Sequence, residues 1–522
     1  MEQFGYPGFI NTKSLSQNGL DAVMLSEAKH LNSLTANEIL RFAQDDRSSF
    51  ARFERLQERK RAVMKKESPS THGKFQQSSR RQFLAQSGKV AVGAALAGTI
   101  VPHVHAAEKN TIRLALIGCG GRGSGAVVNA MNSANGSVKL VAMADVVDSR
   151  LTTAHKILGK QFGNRVDVPK DRQFIGFDAY KKAIDCLGPG DVAMLTNFAA
   201  FRALQLEYAV KKGVNVFMEK SFGPDVPALR RLIKAGEEAK KKNLKIAAGL
   251  QWRHSENRQE LIKRIRDGAL GDIQLIRAYR VHPVGFMGKK PPDQDELLWQ
   301  IRNFVRFFWV SGELFAEMNC HQVDEICWIK DAWPVTAHGI GGRAANNTDH
   351  GQGLDSFSIE WTFADGTKAT DVVRWLGGHC HSDFATYIHG TRCAAQFNTY
   401  GLGKGETARL YKDQRIEKDT MVWESPREKV NSWDGEWNVL LDNIRNDKPQ
   451  NEAKRAAYSN IATLMGRAAV HSGKMITWDQ AMASNFQFYP NIDAMDYHTA
   501  PPVKADAQGR YPVPVPVVWS EI

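Results

Sequence analysis

The stretch Thr111-Ile112-Arg113-Leu114-Ala115-Leu116-Ile117-Gly118-Cys119-Gly120-Gly121-Arg122-Gly123 decides the fold. Thr111 to Ile117 has the aliphatic, β-branched character of a short buried strand. A G-x-G-x-x-G run follows at once, and Ser124 to Met131 then reads as a helix. In that order each glycine has a task. Gly118 makes the tight turn, Gly120 lets the backbone approach a pyrophosphate, and Gly123 lets helix pack on strand. Gly121 and Arg122 complete a loop whose phosphate would meet backbone N–H groups at the positive end of a helix dipole. A glycine-rich turn without a ligand is the plainer alternative.

Working outward, Val138 to Ala144 reads as the next strand and ends in Asp145, 22 residues past Gly123. A carboxylate there accepts hydrogen bonds from an adenosine ribose and repels a 2′-phosphate, so NAD is expected over NADP. Arg150 keeps NADP open. Strands at Asp191–Asn197, Asn215–Met218 and Lys245–Leu250 alternate with helices at Phe201–Lys212 and Pro224–Lys242. This predicts an α/β nucleotide domain over 108–250. Its doubly wound parallel sheet would hold a ligand at the strands' carboxyl ends, where Asn197 and Glu219 lie.

Two clusters could do chemistry. Glu219-Lys220 closes a strand where the rule puts a nicotinamide. A lysine at its reference pKa of about 10.4 is a poor base, but burial and a positive ring both lower it. The plain alternative is a surface Glu-Lys pair. Glu317, His321 and Asp324 fall at i, i+4 and i+7 on a helix predicted over Glu313–Lys330. A carboxylate one turn from a histidine can orient the imidazole and raise its basicity. Glu-x-x-x-His lacks the further ligands of a zinc site, so no metal is expected. An amphipathic helix with an incidental histidine is the alternative.

From about Thr111 to its end the chain resembles the glucose–fructose oxidoreductase/inositol dehydrogenase/rhizopine catabolism (Gfo/Idh/MocA) family. The resemblance rests on Ile117 to Gly123, Asp145, Glu219-Lys220, Glu317 to Asp324, and Gly268-Ala269-Leu270-Gly271-Asp272-Ile273. It implies a Rossmann domain followed, over 251–500, by an α/β domain with a large open, mostly antiparallel sheet through which homo-oligomers form. It also implies that Lys220 and His321 are the general acid/base pair and that Glu317 orients or assists. Three departures stand out. The family's Glu-Lys-Pro, whose proline holds the lysine through a cis bond, is here Glu219-Lys220-Ser221. Its Asp-x-x-x-His is here Glu317-x-x-x-His321, read as a subgroup trait. Asn197 to Arg202 (NFAAFR) lacks the histidines often found there.

Strands expected at Gln274–His282, Thr336–Gly341, Asp355–Phe363 and Thr367–Trp375 supply the second sheet, with Ala364-Asp365-Gly366 as a hairpin turn. Trp252, Arg253, Trp299, Arg302 and Asp324 are candidates for binding substrate, with Asn303, Trp309, His379 and His381 as further candidates. Aromatics cover sugar faces and Arg or Asn binds hydroxyls, although core packing suits each tryptophan as well. A helix over Asn451–Gly473 is expected to return beside the nucleotide domain. The Pro-rich tail, 501–522, reads as extended.

Upstream, Ser78-Ser79-Arg80-Arg81-Gln82-Phe83-Leu84 precedes an apolar run, Val90–Val101, too short for the ~20 residues of a membrane span. Val104-His105-Ala106 supplies small residues for cleavage. Residues 64–107 therefore read as a twin-arginine signal peptide, starting at Met64-Lys65-Lys66. The expected location is periplasmic, with the translocase as a partner. Residues 1–63 read as a spurious or disordered extension from a start codon set too early. Free NAD is scarce outside the cytoplasm, so the cofactor is expected to be non-dissociating.

Net charge is +13, but residues 1–107 carry 15 Lys and Arg against 9 Asp and Glu, which leaves +7 for the rest. No Lys/Arg cluster interleaves with aromatics, so no nucleic-acid partner is expected. Six cysteines show no CxxC spacing; free thiols are expected, with Cys380–Cys393 left open as a disulfide. Three functions fit. The first is an NAD(P)-dependent oxidoreductase acting on a sugar or cyclitol. The second is a glycoside hydrolase working by transient oxidation on bound NAD. The third is a non-catalytic sugar- or nucleotide-binding protein.

Overall fold

The alternation around the glycine loop folds as a six-stranded parallel sheet in the order β3-β2-β1-β4-β5-β6. The computed structural model describes residues 111–376, 380–398 and 407–522. The expectations for residues 1–63, for the leader at 64–107 and for His379 lie outside the described residues. The first sheet is built from β1 (Ile112–Ile117), α1 (Gly121–Asn132), β2 (Val138–Asp145), α2 (Asp148–Phe162), β3 (Gln173–Ile175), α3 (Ala179–Asp185), β4 (Val192–Leu195), α4 (Arg202–Lys212), β5 (Asn215–Met218), α5 (Val226–Lys241) and β6 (Ile246–Ala248). The sequence reading had omitted α2, β3 and α3.

Helices cover this sheet on both faces, as a parallel sheet requires. Side chains of β1 alternate between two cores. Leu114 and Leu116 face one with Val127 of α1, and Ala115 and Ile117 face the other with Leu206 of α4.

The second half contains α6 (Glu256–Arg266), β7 (Ile273–Val281), α7 (Glu296–Arg302), α8 (Phe308–Ser311), α9 (Glu313–Lys330), β8 (Thr336–Gly342), β9 (Ser356–Thr362), β10 (Lys368–Arg374), β11 (Asp383–Gly390), β12 (Ala394–Asn398), β13 (Thr407–Tyr411), β14 (Met421–Glu424), α10 (Ser432–Arg445), α11 (Ala453–Ser472), β15 (Ile476–Thr477) and α12 (Trp478–Ala483). Its nine strands run β14-β13-β12-β11-β7-β10-β9-β8-β15. β7 and β10 pair in parallel, and the other neighbours pair antiparallel. The turn at 364–366 joins β9 to β10 in register, with Lys368 opposite Thr362. β9 shows the alternation of a half-buried strand. Phe357, Ile359 and Trp361 face the core, and Trp361 Nε1 donates to Ala462 O of α11 at 2.9 Å.

Two late helices return to the nucleotide domain. Trp437 of α10 is fully buried against Phe217 of β5, ring centroids 4.5 Å apart. α11 packs between α5 on one side and α9 and β8 on the other. Just before it, Asn451 forms a parallel bridge to Ile246, so the outer edge of β6 is closed by chain from far downstream. Ile246 N donates to Gln450 O at 2.9 Å, and Glu452 N donates to Ile246 O at 3.0 Å.

All six cysteines are free. The Cys380–Cys393 disulfide is not formed: Cys380 is exposed, while Cys393 is buried and directs its thiol to Ala269 O. Among the described residues no helix is long and apolar enough to cross a membrane.

Candidate active site

The glycine loop meets the demands placed on it. Gly118 has φ +98°, and a Cβ there would stand 2.5 Å from Asn197 N. A Cβ on Gly123 would stand 2.0 Å from Gly118 O, so the first turn of α1 can lie against β1 only with glycine there. Gly120 differs: a Cβ would meet only Arg150 Nη1, at 3.8 Å. That open backbone beside the unpaired first-turn N–H groups of α1 suits a phosphate. Asp145, at the end of β2, accepts from Cys119 N at 2.6 Å and Val147 N at 2.8 Å. Burial raises its pKa, opposed by these N–H groups and by Arg150. The open backbone and the helix N-terminus fit the pyrophosphate of a dinucleotide. Asn197 is held by Arg202, which donates to Asn197 O at 2.6 Å and also to Leu195 O. Arg202 is fully buried, which lowers its pKa to about 10.

Glu219 and Lys220 sit at the carboxyl end of β5, and their side chains part. Glu219 Oε1 pairs with Arg122 at 2.6 Å, which ties the end of β5 to the phosphate loop. Lys220 reaches α9: its Nζ lies 2.7 Å from Glu317 Oε1 and 3.0 Å from Glu317 O. The Lys220–Ser221 peptide is cis. Ser221 Oγ lies 2.9 Å from Glu317 Oε2 and 3.0 Å from Ser311 O. One carboxylate thus holds both residues of the cis peptide. Burial, the largest single influence, lowers the Lys220 pKa, but Glu317 together with Cys320 and Glu219 outweighs it and holds the ammonium above the ordinary lysine value. Burial acts in the expected direction, but the net shift from the protein's own groups is upward.

His321 lies one turn along α9, only 8 % exposed. Its ring packs on Trp252 with centroids 5.2 Å apart, and its Nδ1 is buried without a hydrogen-bond partner. Burial first, then the Lys220 and Arg280 charges, push its pKa well below the ordinary histidine value. Glu317 does not orient this imidazole as its spacing suggested, because Lys220 offers its carboxylate a full charge.

Asp324 also turns away from His321. It takes Arg253 in a bidentate pair at 2.7 and 2.9 Å, together with Ser459 Oγ at 2.5 Å and Arg455 at 3.5 Å. Those cations outweigh the burial that opposes them and lower its pKa to about 2. Arg253 and Asp324, both expected to bind substrate, are thus brought to each other. Trp299 and Arg302 lie on α7, the tryptophan half-buried in an aromatic cluster and the arginine exposed. Asn303 caps that turn through Trp299 O, and Trp309 is buried with its N–H on Gln300. His381 lies before β11, its carbonyl accepting from Arg374.

Sequence reasoning met Ser221 only as a departure from Glu-Lys-Pro and gave no role to Arg202 or Arg280. Arg280 Nη1 donates to Met318 O at 2.7 Å, and its guanidinium stands over the Phe384 ring at 4.6 Å. A lone arginine in the apolar run FAAFR was the available signal for Arg202.

No protein-family model and no curated protein matches the chain. Solved structures do. An aldose–aldose oxidoreductase from Caulobacter crescentus, complexed with glycerol, is 17% identical, covers 70% of this chain and 99% of its own, and gives a TM-score of 0.54. The chain has their fold. A scyllo-inositol dehydrogenase from Lactobacillus casei with bound NAD(H) and scyllo-inositol is 21% identical, with 70% and 99% covered and a TM-score of 0.52. A myo-inositol 2-dehydrogenase from Lactobacillus plantarum is 19% identical, with the same coverage and a TM-score of 0.51.

Proposed function

We propose that the protein is an NAD(P)-linked oxidoreductase of the Gfo/Idh/MocA type, acting on a hydroxyl-bearing carbon of a sugar or cyclitol. The observation that carries this reading is the 2.7 Å pair between Lys220, at the carboxyl end of β5, and Glu317 of α9, with a buried, neutral His321 one turn further along that helix. A bound nicotinamide would supply hydride transfer. Gly118, Gly120, Gly121, Arg122, Gly123 and Asn197 would form its cradle, and Asp145 at the ribose favours NAD.

The protein's own groups divide the proton work. Neutral His321 accepts the proton of the substrate hydroxyl. Lys220, kept charged by Glu317, donates a hydrogen bond to the same oxygen and stabilises the negative charge that develops there. In reduction the protonated His321 returns its proton to that oxygen, while Lys220 stays charged and keeps its hydrogen bond. Each such group contributes typically 10²–10⁴-fold. The leader read in the sequence adds export in the folded state, with the dinucleotide already bound.

The test is a panel of sugars and cyclitols with NAD and NADP, read as nicotinamide absorbance, on the wild type and on Lys220→Met. Turnover lost in the variant with its fold intact supports the reading. Equal turnover in both overturns it. Nitrophenyl glycoside cleavage without net reduction would turn it into the hydrolase.

A further inference from the structure

The segment after α12 runs past the carboxyl ends of β2 and β3. At its start Arg230 Nη1 donates to Met482 O and Ser484 O, each at 2.7 Å. Asp493 pairs with Arg231 at 3.0 Å. Tyr497 OH then donates to Val146 O at 2.7 Å, and its ring meets Phe177 edge-on, centroids 5.1 Å apart. Val146 directly follows Asp145, and Phe177 lies two residues beyond β3. Both mark the strand ends where an adenosine would lie. Met495, 6 % exposed, belongs to one apolar cluster with Val146, Phe177, Phe198 and Leu297 of α7.

The far end is fastened as firmly. Tyr511 N donates to His350 O at 2.9 Å. Glu521, in the penultimate position, is buried and pairs with Arg467 at 2.8 Å, and it accepts from Trp519 Nε1 at 2.9 Å. Arg467 in turn donates to Gly312 O at 2.9 Å, at the root of the catalytic helix. A strand of coil tied at both ends can lift in its middle only by breaking the contacts there.

We propose that residues 488–499 form a clasp that completes the adenosine end of the nucleotide site. Tyr497 and Met495 wall the cleft, and a bound nicotinamide adenine dinucleotide leaves only when this stretch lifts. This rests on reading the cleft as a dinucleotide site. It gives a physical basis for slow cofactor exchange.

The experiment loads the full-length protein with reduced nicotinamide adenine dinucleotide and follows release by its fluorescence after an excess of the oxidised form is added. Met495→Ala/Tyr497→Ala should release at least tenfold faster than the wild type, while Val517→Ala, on the exposed far tail, should match it. Hydrogen exchange on the unmodified protein is the second measurement, independent of whether the variant folds. Amides of 488–499 should slow when the dinucleotide is added. Tight binding with unchanged release in the double variant, or unchanged exchange in 488–499, overturns the clasp and spares the dinucleotide reading. A wild-type protein that binds no dinucleotide overturns both.

Discussion

Asp324→Asn separates a structural carboxylate from a chemical one. Asp324 is 2 % exposed and meets Arg253 at 2.7 and 2.9 Å, with Arg455 at 3.5 Å. Its pKa of about 2 against an ordinary 3.8 corresponds to about 2.5 kcal/mol of stability at neutral pH. The pKa is depressed, so this stability is present above pH 3.8 and is lost as pH falls through about 2. Asn also leaves the Arg253 guanidinium without its anion, whereas Arg455 keeps Glu452 at 3.3 Å. Removing one partner of a buried pair costs about 3–5 kcal/mol. Arg253 and Arg455 are 16% and 25% exposed, so water reaches them and the lower end applies, about 3 kcal/mol. The assay is equilibrium urea unfolding by tryptophan fluorescence. The deficit at pH 5 should narrow by about 1 kcal/mol at pH 3. Arg253→Gln and the double variant complete a cycle, with a coupling energy of about 2 kcal/mol. An Asn variant that unfolds at the wild-type midpoint, or a cycle without coupling, would refute the assignment of Asp324 to the fold.

Lys220→Met should lower kcat/KM by about 10²–10⁴-fold, measured by steady-state kinetics, and should also lower the urea midpoint, because buried Glu317 loses its cation. Because the His321 pKa is pushed down, stability should fall as pH drops below the ordinary histidine value; in His321→Gln that slope should flatten. The two glycines should part company. Gly123→Ala should destroy the loop and the thermal transition, whereas Gly120→Ala should fold normally and weaken dinucleotide binding, read by melting and by titration. Glu313 is buried with its pKa raised to about 8, so its contribution is present below pH 4.5 and lost as pH rises to about 8. Glu313→Gln should therefore gain stability over the wild type progressively between pH 5 and 8; a constant difference across that range would count against it.

What could be read in the sequence was periodic or local. The helix at Glu313–Lys330 is found with those bounds, and the strand at Asn215–Met218 likewise. The four strands expected in the second sheet, β7 to β10, lie within a residue of their expected ends, because β-branched runs bounded by turn residues leave few alternatives, whereas β11 to β15 were not anticipated. α2 escaped notice because it buries only Leu151, Ala154 and Leu158, a thin stripe on an exposed helix. The partners of the site carboxylates were hidden for another reason. Helical spacing put Glu317 one turn from His321, but its ionic partner lies 97 residues away. Asp324 is claimed by Arg253, 71 residues upstream, and by Arg455, 131 residues downstream. Periodicity shows which residues share a face and says nothing of what the fold brings against it.

The closing of β6 by residues 450–452 also bears on the order of synthesis. As the chain emerges, all six parallel strands are made before residue 250, yet one rim of their sheet stays bare until some 200 residues more have been added. A bare rim pairs readily with a neighbour of its kind. The nascent nucleotide half therefore needs shelter until its last piece arrives, and a fragment ending at residue 250 should associate in solution. Adding a peptide spanning 446–473 should disperse it, which sedimentation can follow; a monomeric fragment would show that the rim is harmless.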